Sequence, residues 1–161
     1  MGKKRSLQAR LVDAEADFYT IGYERTSLEQ LFLLLKGAGV RCLVDVRDAP
    51  WSRVPEYRKD VLEDRLAGLG REYGYQIRYV SMPAVGNPPE NRRSDRSTEA
   101  MMACYRDYML AKPAALDGLA GLLGKCRSAL MCYEADPREC HRSVLAAILA
   151  ERYGLSYADL R

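Results

Sequence analysis

Two rhythms of apolar residues alternate along the chain. Short runs rich in β-branched and aromatic residues are each followed by stretches whose apolar positions recur every three or four residues, and this alternation predicts strands interleaved with helices. "DFYTIGY" reads as a first strand ending at Gly22. Leu28, Leu31, Phe32 and Leu35 then mark a helix, opened by capping-box spacings at Thr26/Glu29 and Ser27/Gln30 and stopped by Gly37 and Gly39. "RCLVDVR" is a second strand, "YQIRYVSMP" a third and "SALMCYE" a fourth. Between them the pattern predicts helices over 58–69, stopped by Gly70, and over 98–110 and 113–126. A last helix over 137–153 is closed by Gly154. "DAPWSRVPEY" and "AVGNPPENRRSDRS" are loops punctuated by proline, the second long and polar.

The alternation predicts a three-layer, Rossmann-like α/β fold, with a mainly parallel sheet of four or five strands flanked by helices and joined by right-handed crossovers. Residues 17–161 form a single α/β domain on this reading, and residues 1–16 a flexible basic arm. In such sheets ligands collect at the carboxyl ends of the strands.

Composition narrows the class without naming an activity. The chain has 161 residues, 48% hydrophobic and 29% charged, as in a globular protein. A net charge of +3 is too small to argue nucleic-acid binding by itself. No apolar run is long enough for a membrane span, and the basic start is not followed by the apolar core of an export signal. Five unevenly spaced cysteines then suggest a cytoplasmic protein with reduced thiols. Cys42, Cys104 and Cys126 fall in packing patterns.

The densest chemistry lies in "MCYEADPRECHRS", residues 131–143. Asp136, Pro137 and Glu139 match a capped helix start and need no catalytic explanation. Cys140 and His141, the only histidine, fall in the first turns of that helix and therefore at the ligand-binding rim. A helix amino terminus there favours a thiolate and a neutral imidazole. Cys132 and Arg138 have the spacing of a phosphatase-like Cys-x5-Arg loop, but two carboxylates and a proline lie between them, which opposes an anion cradle. A structural zinc site using Cys132, Cys140, His141 and Glu134 has suitable residue types. Adjacent Cys-His ligands strain a tetrahedron, so no metal ligand is assigned, and no cofactor follows from the sequence.

A second cluster follows the second strand. Alternation puts Asp45 and Arg47 on one face, so they suit either an anion site or a buried network. Ser52, Arg53, Trp51 and Tyr57 lie in the loop beyond, the aromatic rings offering stacking surfaces. Tyr23 closes the first strand, and Arg142 follows His141.

"TIGYERTSLEQLFLLL", "CLVDVRDAPWSR", "EYRKDVLEDRL" and "ALMCYEADPRECHRS" together resemble the prokaryotic domain-of-unknown-function 488 family, from about Phe18 to Leu149. The resemblance implies a compact α/β domain and delivers no reaction. Its pattern marks Gly22, Asp45, Arg47, Pro50, Ser52, Arg53, Cys132, Glu134, Cys140, His141 and Arg142. The family commonly carries a histidine where this chain has Tyr23, so a mechanism requiring two histidines does not carry over. Tyr57 replaces a frequent phenylalanine.

The expected function is an enzyme acting on a phosphate-bearing or nucleotide-like ligand. Cys132, Glu134, Cys140 and His141 are the catalytic candidates, and Tyr23, Asp45, Arg47, Ser52, Arg53, Tyr57 and Arg142 the ligand- or anion-binding ones. The expected partner is a small anion or nucleotide, with no membrane. The alternatives are a non-catalytic nucleic-acid or nucleotide module and a structural zinc module.

Overall fold

The computed structural model describes residues 16–93 and 95–161. The arm expected over residues 1–16 lies, apart from Ala16, outside the described residues. Five strands form one sheet: β1 (Phe18–Gly22), β2 (Cys42–Asp45), β3 (Arg78–Ser81), β4 (Ser128–Cys132) and β5 (Tyr157–Leu160). Their order is β3-β2-β4-β1-β5 and every pairing is parallel. The helices are α1 (Leu28–Gly37), α2 (Lys59–Tyr73), α3 (Thr98–Leu110), α4 (Pro113–Lys125) and α5 (His141–Tyr153). This is the Rossmann-like α/β arrangement that the alternation of periods predicts. Among the described residues no helix is long and apolar enough to cross a membrane.

The chain steps from β1 to β2 to β3 in one direction across the sheet, then returns through β4 to β5. Crossovers of one hand therefore place α1 and α2 on one face and α3, α4 and α5 on the other. The pleat divides the core accordingly. Tyr19, Ile21, Leu43, Ala129 and Met131 pack with Leu28, Leu31, Phe32 and Leu35 of α1 and Leu62, Leu66 and Leu69 of α2. Phe18, Cys42, Val44, Leu130 and Cys132 pack with α3, α4 and α5. Because β4 leads to one face and its neighbours β1 and β2 to the other, their connections part at the carboxyl edge above β4.

Three elements differ from expectation. α2 continues through Gly70 to Gly74, which takes the left-handed conformation (φ 60°) that ends it. β5 carries too little apolar alternation to be read as a strand, yet it pairs with β1, and Asp159 accepts a hydrogen bond of 2.6 Å from the Thr20 hydroxyl. The last helix is divided. A 3₁₀ turn at Pro137–Glu139, capped by Asp136, is followed by Cys140 in extended conformation, and α5 starts only at His141. Of the two capping spacings before α1, the reciprocal box is made by Ser27 and Gln30.

Candidate functional site

β4 ends at Cys132, and residues 133–139 cross the carboxyl edge before α5. This crossing is held mainly by backbone groups. Tyr23 and Glu24 amides donate to the carbonyls of Cys132 (3.1 Å) and Tyr133 (2.8 Å), and the Ala135 amide donates to Glu24 Oε2 at 3.1 Å. Gly22 is required beneath it, since a Cβ there would lie 1.9 Å from the Glu134 carbonyl oxygen. Asp136 accepts from the Arg138 amide and pairs with the exposed Arg138 guanidinium, so "DPRE" is indeed a capped turn. Arg138 thus takes no part in a Cys-x5-Arg cradle.

Cys140 caps α5, its sulfur accepting the Arg142 amide at 3.5 Å. Because Cys140 is extended and His141 helical, these consecutive residues both turn to Cys132. His141 Nδ1 lies 3.7 Å from Cys132 Sγ and 3.9 Å from Cys140 Sγ. The two sulfurs and the ring nitrogen all fall within 4.8 Å of one another, and all three residues are buried. His141 Nε2 is 2.9 Å from the Val46 carbonyl. A carbonyl only accepts, so Nε2 carries a proton in either state; the Nδ1 lone pair faces the sulfurs in the neutral ring, and Nδ1–H points at them once the ring is protonated. Tyr105 of α3 packs edge-on against the imidazole, its hydroxyl fixed by the Val85 carbonyl at 2.6 Å.

The cluster separates its two thiols electrostatically. Burial opposes ionisation of Cys140, but hydrogen bonds from Cys132 and His141 and the charges of His141 and Arg142 outweigh it and hold that thiol well below the ordinary range. Its hydrogen bond to Cys140, then burial, keeps Cys132 well above it. For His141, burial lowers the pKa, but contact with Cys140 and the Val46 carbonyl raises it overall. Burial, followed by the negative charge of Cys140, pushes the Glu134 carboxyl up to about 7. Its Oε2 is buried without a hydrogen-bond partner.

The second sequence cluster forms a different assembly. Asp45 and Arg47 follow the pleat to the α1/α2 face, whereas Cys132 lies on the α3–α5 face. Arg47 donates from Nε to Asp45 Oδ1 (2.8 Å) and from Nη2 to Oδ2 (2.7 Å), and Nη1 donates to the Tyr23 hydroxyl at 3.1 Å. Tyr79 adds a hydrogen bond to Asp45. Tyr57 stacks on Tyr23, with ring centroids 4.2 Å apart, and donates to the Thr26 carbonyl at 2.7 Å. Tyr23, Asp45, Arg47 and Tyr57 are all buried; the first three are joined by hydrogen bonds and Tyr57 by stacking on Tyr23. For Asp45 and Arg47 this arrangement is the buried network, one of the two readings the sequence offered. Ser52 is likewise buried, accepting from the Val54 amide as a turn residue. Arg142 is fully buried and donates to the carbonyls of Glu134 and Ala135 and to Asp159, locking the crossing to β5. Arg53 and Trp51 remain exposed in the loop after β2. Cys104 is also exposed, against the packing role expected for it, while Cys42 is buried.

The candidate residues therefore divide. Cys132, Glu134, Cys140 and His141 meet on one face, and the arginine network stands on the other. Tyr105 and the Val46 carbonyl complete the first group and were not legible beforehand. Tyr105 belongs to a helix with no other chemical signal, and a carbonyl's position is set by sheet register.

No curated protein and no solved structure matches the chain. The model of the family described as domain of unknown function DUF488 matches residues 27–149, which span β2, β3, β4 and the whole of the cysteine–histidine cluster, and the chain belongs to that family.

Proposed function

We propose that the chain is an enzyme acting on a small polar ligand, whose reaction centre is Cys132, Glu134, Cys140 and His141, with the sulfurs and imidazole buried just beneath the carboxyl edge of the sheet. One observation carries this reading. The imidazole is fixed by the Val46 carbonyl so that Nδ1, unprotonated in the neutral ring, faces both sulfurs. Cys140 is the nucleophile, because its sulfur occupies the amino terminus of α5 and accepts the Arg142 amide. His141 takes its proton, and Glu134 is the acid that returns a proton to a leaving group. A phosphate-bearing or nucleotide-like ligand finds its support in exposed Arg53 and Trp51, since Arg47 and Arg142 are engaged with protein partners.

Competitive alkylation by iodoacetamide of reduced, chelator-treated protein tests the reading. Cys140 is expected to react faster than exposed Cys104, and His141→Ala to slow Cys140 alone. Reaction of Cys140 no faster than Cys104 would refute the nucleophile role.

A further inference from the structure

We infer that Cys132, Cys140 and His141 form a binding site for one soft divalent metal ion of the zinc class. The inference rests on the reading of this cluster as the working centre and gives its sulfurs the role of ligands when the ion is bound. Bond lengths of about 2.3 Å to sulfur and about 2.0–2.1 Å to imidazole nitrogen give tetrahedral S···N edges of about 3.5–3.6 Å. The two S···N edges here are 3.7 and 3.9 Å, and the sulfurs lie within 4.8 Å of each other against a tetrahedral S···S edge of about 3.8 Å, so an ion is held once the three side chains draw in on it.

The shell around these atoms is also that of a metal site. A metal-bound imidazole characteristically donates its other N–H to a carbonyl or carboxylate, which fixes the ring for the ion. Val46 does this for His141 before any ion arrives. The extended backbone at Cys140 removes the objection that neighbouring ligands strain a tetrahedron, because the pair straddles the start of α5 rather than sharing a helical turn. Two sulfurs and one imidazole favour zinc, cobalt or cadmium over magnesium or calcium. Three protein ligands leave a fourth position, as in catalytic zinc sites, and Glu134 with its unpartnered buried oxygen is the acid next to the cluster in the sequence.

The test uses the reduced 161-residue chain, stripped of metal and titrated with cobalt(II), then with zinc. The expected result is one ion per chain and a thiolate-to-cobalt charge-transfer absorption that zinc abolishes. Zinc should slow alkylation of Cys132 and Cys140 by roughly tenfold or more while leaving Cys104 unchanged. This protection is read on the wild type, so it stands even where Cys132→Ser or Cys140→Ser fails to fold. Absence of stoichiometric binding overturns the inference, as does a charge-transfer band that survives in both folded serine variants, or protection that extends equally to Cys104. Fast alkylation of Cys140 without metal binding would remove this inference and keep the thiol enzyme. Metal binding with a sluggish Cys140 in the stripped protein would do the reverse.

Discussion

Asp45 and Arg47 grip each other through two parallel hydrogen bonds of 2.8 and 2.7 Å, with the carboxylate fully buried and the guanidinium 6% exposed. Tyr23 and Tyr79 complete the pair's hydrogen bonding. Removing one partner leaves the other charge buried and unpaired, so Asp45→Ala and Arg47→Ala should each cost roughly 3–5 kcal/mol. Replacing both by apolar residues of similar volume should cost much less than the sum. A double-mutant cycle by urea unfolding checks this, and additive losses would contradict a coupled pair.

Gly22→Ala should destabilise the protein by about 1–3 kcal/mol or more, because the new Cβ meets backbone that cannot rotate away. Gly37→Ala serves as the comparison. A Cβ there meets nothing within 4 Å, and alanine favours the helix, so that variant should be neutral or slightly stabilised.

The cap that Cys140 provides and the nucleophile role proposed for it can be separated by substitution. Serine caps helices well, so Cys140→Ser should retain most of the stability, whereas Cys140→Ala should lose about 1 kcal/mol. Both should abolish iodoacetamide labelling at this position. Equal thermal midpoints for the two variants would deny the capping role.

Glu134 should make the metal-free protein less stable as pH rises. Its folded pKa of about 7 lies above the ordinary 4.5, so between these values the folded state holds a proton that the unfolded chain has released. Stability present at the acid side is lost as pH climbs through that window. One proton bounds the slope at about 1.4 kcal/mol per pH unit, and partial solvent access reduces it. Unfolding measured from pH 4 to 8 should show a smaller fall in Glu134→Gln.

Arg142→Met should loosen the crossing and the edge strand together, since the guanidinium binds the carbonyls of Glu134 and Ala135 as well as Asp159. Hydrogen exchange should accelerate at residues 133–136 and 157–160 while α2 stays protected. Uniform acceleration throughout would point to global destabilisation instead.

The layered fold was legible because periods of two and near four are written directly in which residues are apolar. β5 was not, because an edge strand needs only one partner and Asp159 sits in it for hydrogen bonding. The charged residues after β2 and β4 were correctly read as crowding one edge of the sheet. Their division between faces was harder to see, because it depends on how far the pleat persists beyond each strand end. Asp45 and Arg47 were known to share a face, but nothing local related that face to the one Cys132 takes. Arg142 looked like a ligand group by composition, and only the fold supplies the carbonyls that take its Nη donors. Cys140 was expected inside a helix because Asp-Pro-x-Glu is a strong start signal. Here that signal opens one short turn, and a second start follows.

The crossing between Cys132 and Cys140 is held at its own main-chain atoms, by the amides of Tyr23 and Glu24, the Glu24 carboxylate and the Arg142 guanidinium, and these contacts are indifferent to most of the side chains along it. Its span is another matter, since one residue more or fewer would carry Cys140 and His141 out of reach of Cys132. Apart from Glu134 and Asp136, this segment can therefore change its spelling over evolutionary time without cost, whereas its length cannot change without parting the cluster.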